Sequence, residues 1–353
     1  MPAGILALGL AASPAAARDV LAPGLVHERL VRPGPVVVHV LRLDRYPARR
    51  ADPDGPLYRV QATSADQLLG GRTRLSQMVR ARRADGAIAG INGDFFSWSG
   101  IPSGLLLDER GVVRNPVPYR SSVVLDHAGA LHVGPLALTG TLSLLGPQGP
   151  VGASAQLNAV NRLPRAGGGE SILYTPAFGE RTPASPGTPS LVLEPLDPAA
   201  PLIGQVTARV LATGGAGGVA LEGRLVVSLG GARAAALAGR ARPGDLVSLG
   251  IGVPGLAPGA VAGVGGGPLL VAGGRTARAS EGFASAQVGA RRARSAIGQT
   301  ATGTLLMVNV EDGRSGPSRG MTTGELADLL AELGAVTAGG LDSGGSAGLS
   351  IRG

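Results

Sequence analysis

The chain has 353 residues, 44% hydrophobic and 16% charged, enough apolar content to bury a full core and too much for a disordered chain. Its net charge of +8 rests on arginine alone, because there is no lysine, and the arginines are dispersed instead of interleaved with aromatics along one face, which argues against a nucleic-acid partner. The absence of cysteine excludes disulfides and thiolate chemistry, and the four histidines, His27, His39, His127 and His132, lack the spacing of a metal cluster.

The apolar run from Ile5 to Ala12, followed by the small residues Ala15 to Ala17, reads as the hydrophobic segment and cleavage site of a secretory leader over residues 1–17. An extracytoplasmic location is therefore expected, with residues 18–353 as the folded domain. No other stretch approaches the roughly 20 uninterrupted apolar residues that a membrane-spanning helix needs.

With 59 glycines, 27 prolines and 3% aromatics, many short strands and turns are expected. Segments 36–43 and 57–62 read as strands, and 65–83 as an amphipathic helix in part. The stretch 87–107 runs from a strand into Asn92-Gly93-Asp94, then Phe95, Phe96 and Trp98, then a Gly/Pro turn. Two of the four phenylalanines and the sole tryptophan gather here, either as a sugar-facing wall or as a hairpin with a local aromatic cluster. Residues 121–145 alternate as a meander, and 179–261 read as a small inserted β-lobe whose Gly214 to Gly218 loop suits a surface hairpin.

Three glycines, Gly265 to Gly267, precede an apolar strand. Residues 294–298 read R-S-A-I-G, a strand follows at 304–310, and Glu311 to Arg314 form a turn. Thr322 and Glu325 have the spacing of a capping box on a helix carrying Leu326, Leu329, Leu330 and Leu333, with Gly334 ending it. The following strand delivers Asp342 into a glycine- and serine-rich loop, L-D-S-G-G-S, where backbone can approach a ligand closely. The fold class expected is α+β: a mixed, strand-rich sheet with a few packing helices and the small inserted β-lobe.

The order I-N-G-D-F-F, G-I-P-S-G, G-G-G-P-L-L, R-S-A-I-G, E-D-G-R, capped helix, L-D-S-G-G-S resembles the phosphodiester glycosidase family across roughly residues 25–349. That family includes the uncovering enzyme, which removes N-acetylglucosamine from a sugar-1-phosphodiester to expose mannose 6-phosphate. The resemblance implies site roles for Asn92, Gly93 and Phe96, for Gly266, Gly267 and Pro268, and for Arg294, Ser295 and Gly298. It implies the same for Asp312, Gly313 and Arg314, and for Asp342, Gly344, Gly345 and Ser346. Gly340 and Ser343 stand where the family usually has Asn and Gly.

The activity implied is hydrolysis of a glycosyl C1–O–phosphate bond in a phosphorylated glycan or sugar-1-phosphodiester; the leader-like start and the arginine-only composition point separately to an exported, bacterial setting. No cofactor is expected, and a need for divalent metal is left open. A carboxylate near C1 assists an oxocarbenium-like state, and a phosphate monoester, with its second pKa of about 6, leaves without a strong general acid. Asp342 is the expected base or nucleophile, Asp94 the second carboxylate and Arg294 the phosphate clamp. Trp98 and Phe96 would stack on the sugar. The alternative is a secreted glycan- or phosphate-binding protein of the same fold with impaired turnover.

Overall fold

The computed structural model describes residues 15–45, 57–146, 149–166, 168–277, 280–314 and 316–352. The expected leader run Ile5 to Ala12 lies outside these residues. The described chain forms an α+β fold of three main sheets with short helices against them.

The first sheet has eight antiparallel strands in the order Ala15–Ala22, Leu25–Arg32, Val36–Leu43, Leu305–Val310, Arg294–Thr300, Ala335–Gly340, Leu269–Ala272 and Arg275–Thr276. One face is covered by the helix Thr323–Glu332, whose Leu326, Leu329 and Leu330 meet Val38, Val40, Leu306 and Val308. That helix starts as its sequence dictates. Thr322 Oγ1 accepts from the Glu325 N–H at 3.2 Å and the Glu325 carboxylate accepts from the Thr322 N–H at 2.8 Å. It stops at Gly334, whose φ of +89° is a left-handed value that glycine adopts without penalty.

The opposite face packs on a five-stranded antiparallel sheet ordered Gly111–Arg114, Leu106–Asp108, Ala260–Gly265, Ser121–Asp126 and Leu131–Pro135. Every residue of Ser121–Asp126 is buried because this sheet is covered on both sides. Its side chains alternate accordingly, Val123 and Leu125 toward the first sheet and Val124 toward the second. The second sheet takes its eight strands from residues 139–252, all antiparallel except the pair Ala159–Val160 and Ile172–Tyr174. The helix Ala232–Arg240 packs on it through Ala234, Leu237 and Ala238.

One local expectation is met over part of its span and another changes. Within 65–83 only a single turn at Ala65–Gln67 and the helix Leu75–Ala81 form, because Gly71, at φ +100°, donates instead to the Ser99 carbonyl at 2.7 Å and pins the 97–101 turn. The 57–62 segment joins no ladder among the described residues; its Leu57 N–H bonds the Arg45 carbonyl. A small two-stranded sheet pairs Ala89–Ile91 with Leu349–Ile351, bringing the chain's late residues beside Asn92.

Candidate active site

Three loops converge at one end of these sheets. Asn92 to Asp94 follow the strand Ala89–Ile91, Gly266 to Pro268 follow Ala260–Gly265, and Asp342 to Ser346 follow Ala335–Gly340. Main-chain bonds fasten them together: Asp342 N–H to Gly93 carbonyl at 3.0 Å, Gly267 N–H to Gly340 carbonyl at 2.9 Å and Gly340 N–H to Pro268 carbonyl at 3.0 Å. The glycines are a steric requirement here. A Cβ on Gly265 would lie 2.6 Å from Asp94 Oδ2, and one on Gly266 would overlap the Gly340 carbonyl.

Asn92 locks the arrangement. Its Nδ2 donates to the Asp342 carbonyl at 3.0 Å, and its Oδ1 accepts from the Gly348 N–H at 3.0 Å.

The two carboxyl groups have different surroundings. The Asp94 side chain is only 3% exposed. Its Oδ2 accepts a short hydrogen bond from the Gly104 N–H, while Oδ1 is buried with no hydrogen-bond partner. Burial pushes its pKa up to about 6; nearby Arg120 and the backbone donors oppose that shift, and the charge of Asp342 adds to it. Asp342 is half-buried, and burial raises its pKa as well, opposed by the Ser346 hydroxyl and by the Ser343 N–H, which donates to Oδ1 at 2.7 Å.

Arg294 is buried, and its guanidinium is committed to main-chain carbonyls, those of Met321 at 3.0 Å and of Gln287 and Ala290 at 2.8 Å each. Its reach toward the aspartate loop is Nη1, 3.5 Å from Ser343 Oγ. Ser295 is buried too, accepting from Asn309 Nδ2 at 3.1 Å, and its carbonyl accepts from the Leu341 N–H. Asp312 accepts from Arg314 Nη2 at 2.5 Å and from the Ala293 N–H at 3.2 Å, and the Arg314 guanidinium holds its pKa down to about 2. The Ala293 carbonyl in turn accepts from Gly344 N–H at 2.8 Å, so the Asp-Gly-Arg turn buttresses the Asp342 loop. Several N–H groups of the glycine loops are already occupied: Gly265 donates to Leu105, Gly267 to Gly340 and Gly344 to Ala293.

The aromatic segment is a hairpin, with the Ser103 N–H bonded to the Phe95 carbonyl and the Ser97 N–H to that of Ile101. Phe96 is 43% exposed and Trp98, at the tip, 88% exposed with the Arg72 guanidinium 5.2 Å from its ring centre. Phe95, not singled out from the sequence, faces inward against Phe283, their ring centres 5.2 Å apart. Arg120 lies over both rings, and its Nη2 is 4.0 Å from Asp94 Oδ1. Nothing in the sequence distinguishes Arg120 from the other arginines. A cavity of about 560 Å³ opens along Phe95, Arg114, Arg120, Arg162 and Phe283. Among the described residues no group of three or more His, Asp or Glu is placed to hold a metal ion.

A family model described as phosphodiester glycosidase matches residues 202–353, so the resemblance read from the motifs holds over that stretch, which contains the Asp342 loop. A hypothetical protein from Synechocystis superposes with a TM-score of 0.74 at 23% identity, covering 97% of this chain and 60% of its own. The "Putative exported protein" of Burkholderia pseudomallei superposes with a TM-score of 0.64 at 24% identity, covering 90% and 70%. These likenesses establish the fold, and this chain spans 60% of the length of the first of them. The catalytic domain of zebrafish N-acetylglucosamine-1-phosphodiester alpha-N-acetylglucosaminidase also matches, at 16% identity and a TM-score of 0.24, too loose a superposition to carry an argument. No protein of curated function matches the chain. No helix of the described residues is long and apolar enough to cross a membrane.

Proposed function

We propose that this chain, whose residues 202–353 match the phosphodiester glycosidase family, hydrolyses a glycosyl C1–O–phosphate bond at the Asp94 and Asp342 pair. One observation carries the reading: two carboxyl groups of unequal burial are presented by loops bonded directly to each other, through the Asp342 N–H and the Gly93 carbonyl. Asp342, the less buried, is the group that can meet C1. Asp94, enclosed behind it, keeps its proton up to about pH 6, while the Ser346 hydroxyl, the Ser343 N–H and the Arg120 charge favour the ionised form of Asp342 against its burial.

In the reaction the C1–O bond breaks and its electron pair leaves with the phosphate monoester, while positive charge develops at C1 and the ring oxygen. Asp342 stabilises that charge, and either bonds C1 or takes the proton of the attacking water. The products are the free sugar and a phosphate monoester, which needs little proton assistance because its second pKa is about 6. Export of the protein is part of the proposal, supported by the leader-like start of the sequence and by the description of the Burkholderia relative.

The test is sugar release from a sugar-1-phosphodiester by the purified protein and by Asp342→Asn. Release by the wild type that falls at least about 10³-fold in the variant is expected, as for loss of a nucleophile or base. Equal release by both proteins would refute the assignment. A second reading, a glycan- or phosphate-binding protein with impaired turnover, is favoured by Ser343, which stands where the family usually has glycine and whose Oγ lies 3.5 Å from Arg294 Nη1. It predicts ligand binding with no release by either protein.

A further inference from the structure

We propose that the cavity beside Asp94 receives the phosphate together with the alcohol side of the substrate, that Arg120 is the phosphate ligand, and that the alcohol is apolar, aryl or prenyl. The inference rests on the reading above in making that phosphate part of a sugar-1-phosphodiester.

The arginines around the site differ in how far their donors are used. Arg114 is buried and donates to the carbonyls of Pro102, Ser103 and Val160 and to Asn115 Oδ1. Arg162 is 2.5 Å from Glu170 Oε1, and Arg294 donates to the carbonyls of Met321, Gln287, Val288 and Ala290. Arg120 has no such commitment. Its side chain is 13% exposed, yet among the described residues nothing accepts a hydrogen bond from it; it meets two ring faces, and Asp94 Oδ1 stands off at 4.0 Å. A guanidinium stripped of water with its fork open is costly unless an anion completes it, and its planar fork matches a phosphate. On the other side of the gap, Asp94 Oδ1 is itself buried without a partner, and its carboxyl holds a proton to about pH 6, leaving the Arg120 charge poorly compensated below that. The two groups face each other as a long ion pair with no hydrogen bond between them, and the charge of Arg120 acts on Asp342 as well as on Asp94.

The rest of the cavity sets the alcohol. At about 560 Å³ it is sized for a small-molecule ligand. Its apolar walls are Ile101, Pro102, Val117, Tyr119, Leu163 and Phe283, with the polar Ser97, Ser103, Arg114, Arg162 and Gln287 between them. Tyr119 is 68% exposed and Leu163 47% exposed, so apolar surface is displayed at the mouth with nothing covering it. The Tyr119 ring passes so close to Gly282 that a Cβ there would stand 3.4 Å from it, and Gly282 has a φ of +75°. An apolar alcohol is matched by these side chains, and most polar groups of the wall already have partners: Arg114 with carbonyls, Arg162 with Glu170, Ser97 with Ser99, and Gln287 Oε1 with the Ala284 N–H.

Calorimetric titration at pH 5.5 with inorganic phosphate, phenyl phosphate, geranyl phosphate and mannose 6-phosphate tests the assignment. Phenyl and geranyl phosphate are expected to bind roughly tenfold or more tightly than inorganic phosphate, and mannose 6-phosphate no more tightly than inorganic phosphate. The difference between the phenyl and geranyl arms identifies the source of the alcohol. Arg120→Gln should weaken all four by roughly tenfold or more, as expected for loss of a charge-assisted pair. Tyr119→Ala, a change at an exposed position, should erase the advantage of the apolar esters and spare inorganic phosphate, which keeps the proposal testable if Arg120→Gln does not fold. Unchanged phosphate affinity in a folded Arg120→Gln, tighter binding of mannose 6-phosphate than of phenyl phosphate, or no binding by the wild type would each overturn it. Sugar release that depends on Asp342 but not on Arg120 would leave the glycosidase reading standing without this site. The expected binding order without any sugar release would do the reverse.

Discussion

The side chain of Asn92 holds Asp342 by its backbone and not by its carboxylate: Nδ2 donates to the Asp342 carbonyl at 3.0 Å while Oδ1 receives the Gly348 N–H at the same distance. One amide thus spans the start and end of the aspartate loop and fixes the direction in which the Asp342 carboxyl leaves it. Asn92→Ala removes both bonds, at about 1 kcal/mol each, and is expected to lower stability by about 2 kcal/mol in denaturant titration. Because the loop that carries the carboxylate loosens, sugar release should fall about tenfold or more with a larger effect on kcat than on KM.

Asp94 links site charge to stability. In the folded protein it keeps its proton up to about pH 6, whereas in the unfolded chain it releases it near 3.8. The folded state therefore binds more protons between those values. The stability contributed by this group is complete below about 3.8 and is lost as pH rises to about 6, a change of about 3 kcal/mol. Asp94→Asn should raise the melting temperature at pH 7.5, lose that advantage below pH 4, and lower sugar release at both pH values. A variant less stable than wild type at pH 7.5 would contradict this account of the burial.

Gly265 is the floor under Asp94. With a Cβ 2.6 Å from Oδ2 and 3.0 Å from Oδ1, Gly265→Ala must displace the carboxyl group. Overpacking of this kind costs about 1–3 kcal/mol, to be read from equilibrium unfolding. Sugar release should fall as well, because the same shift moves Asp94 away from Arg120.

Arg294 is expected to behave as a strut. Arg294→Ala leaves the carbonyls of Gln287 and Ala290 without this donor and the Met321 carbonyl with the Arg292 N–H alone, and a loss of roughly 2–4 kcal/mol should appear in thermal melts. Binding of inorganic phosphate at a temperature where the variant is folded should be close to wild type.

Trp98, at 88% exposed, contributes almost nothing to the core. Trp98→Ala should leave stability within about 0.5 kcal/mol. If the hairpin tip touches the glycan, KM for sugar release rises a few-fold with kcat unchanged; identical kinetics would remove Trp98 from the site.

Much of the site's frame was readable along the chain. The Thr322 and Glu325 capping box, the Gly334 stop and the strand that delivers Asp342 are all local, decided by residues within a few positions of one another. The Asn92 turn and the glycine run at 265–267 were legible along the chain, although which backbone they approach is a matter of pairing at long range. The helix expected in part of 65–83 forms over Leu75–Ala81, and where it begins is decided at long range: Gly71 donates to Ser99, far along the chain, instead of joining a helix.

The sequence by itself determined the α+β alternation, the capped helix and the glycine-bordered aspartate, since backbone propensity and side-chain period act between near neighbours. Only the tertiary structure decided that Phe95 and not Phe96 turns inward, because adjacent residues of an extended hairpin face opposite sides and the choice depends on what packs behind. It also decided which arginine keeps its donors open. Arg114, Arg120 and Arg294 are the same side chain, and whether each is spent on carbonyls or left facing a cavity follows from the loops that folding brings around it.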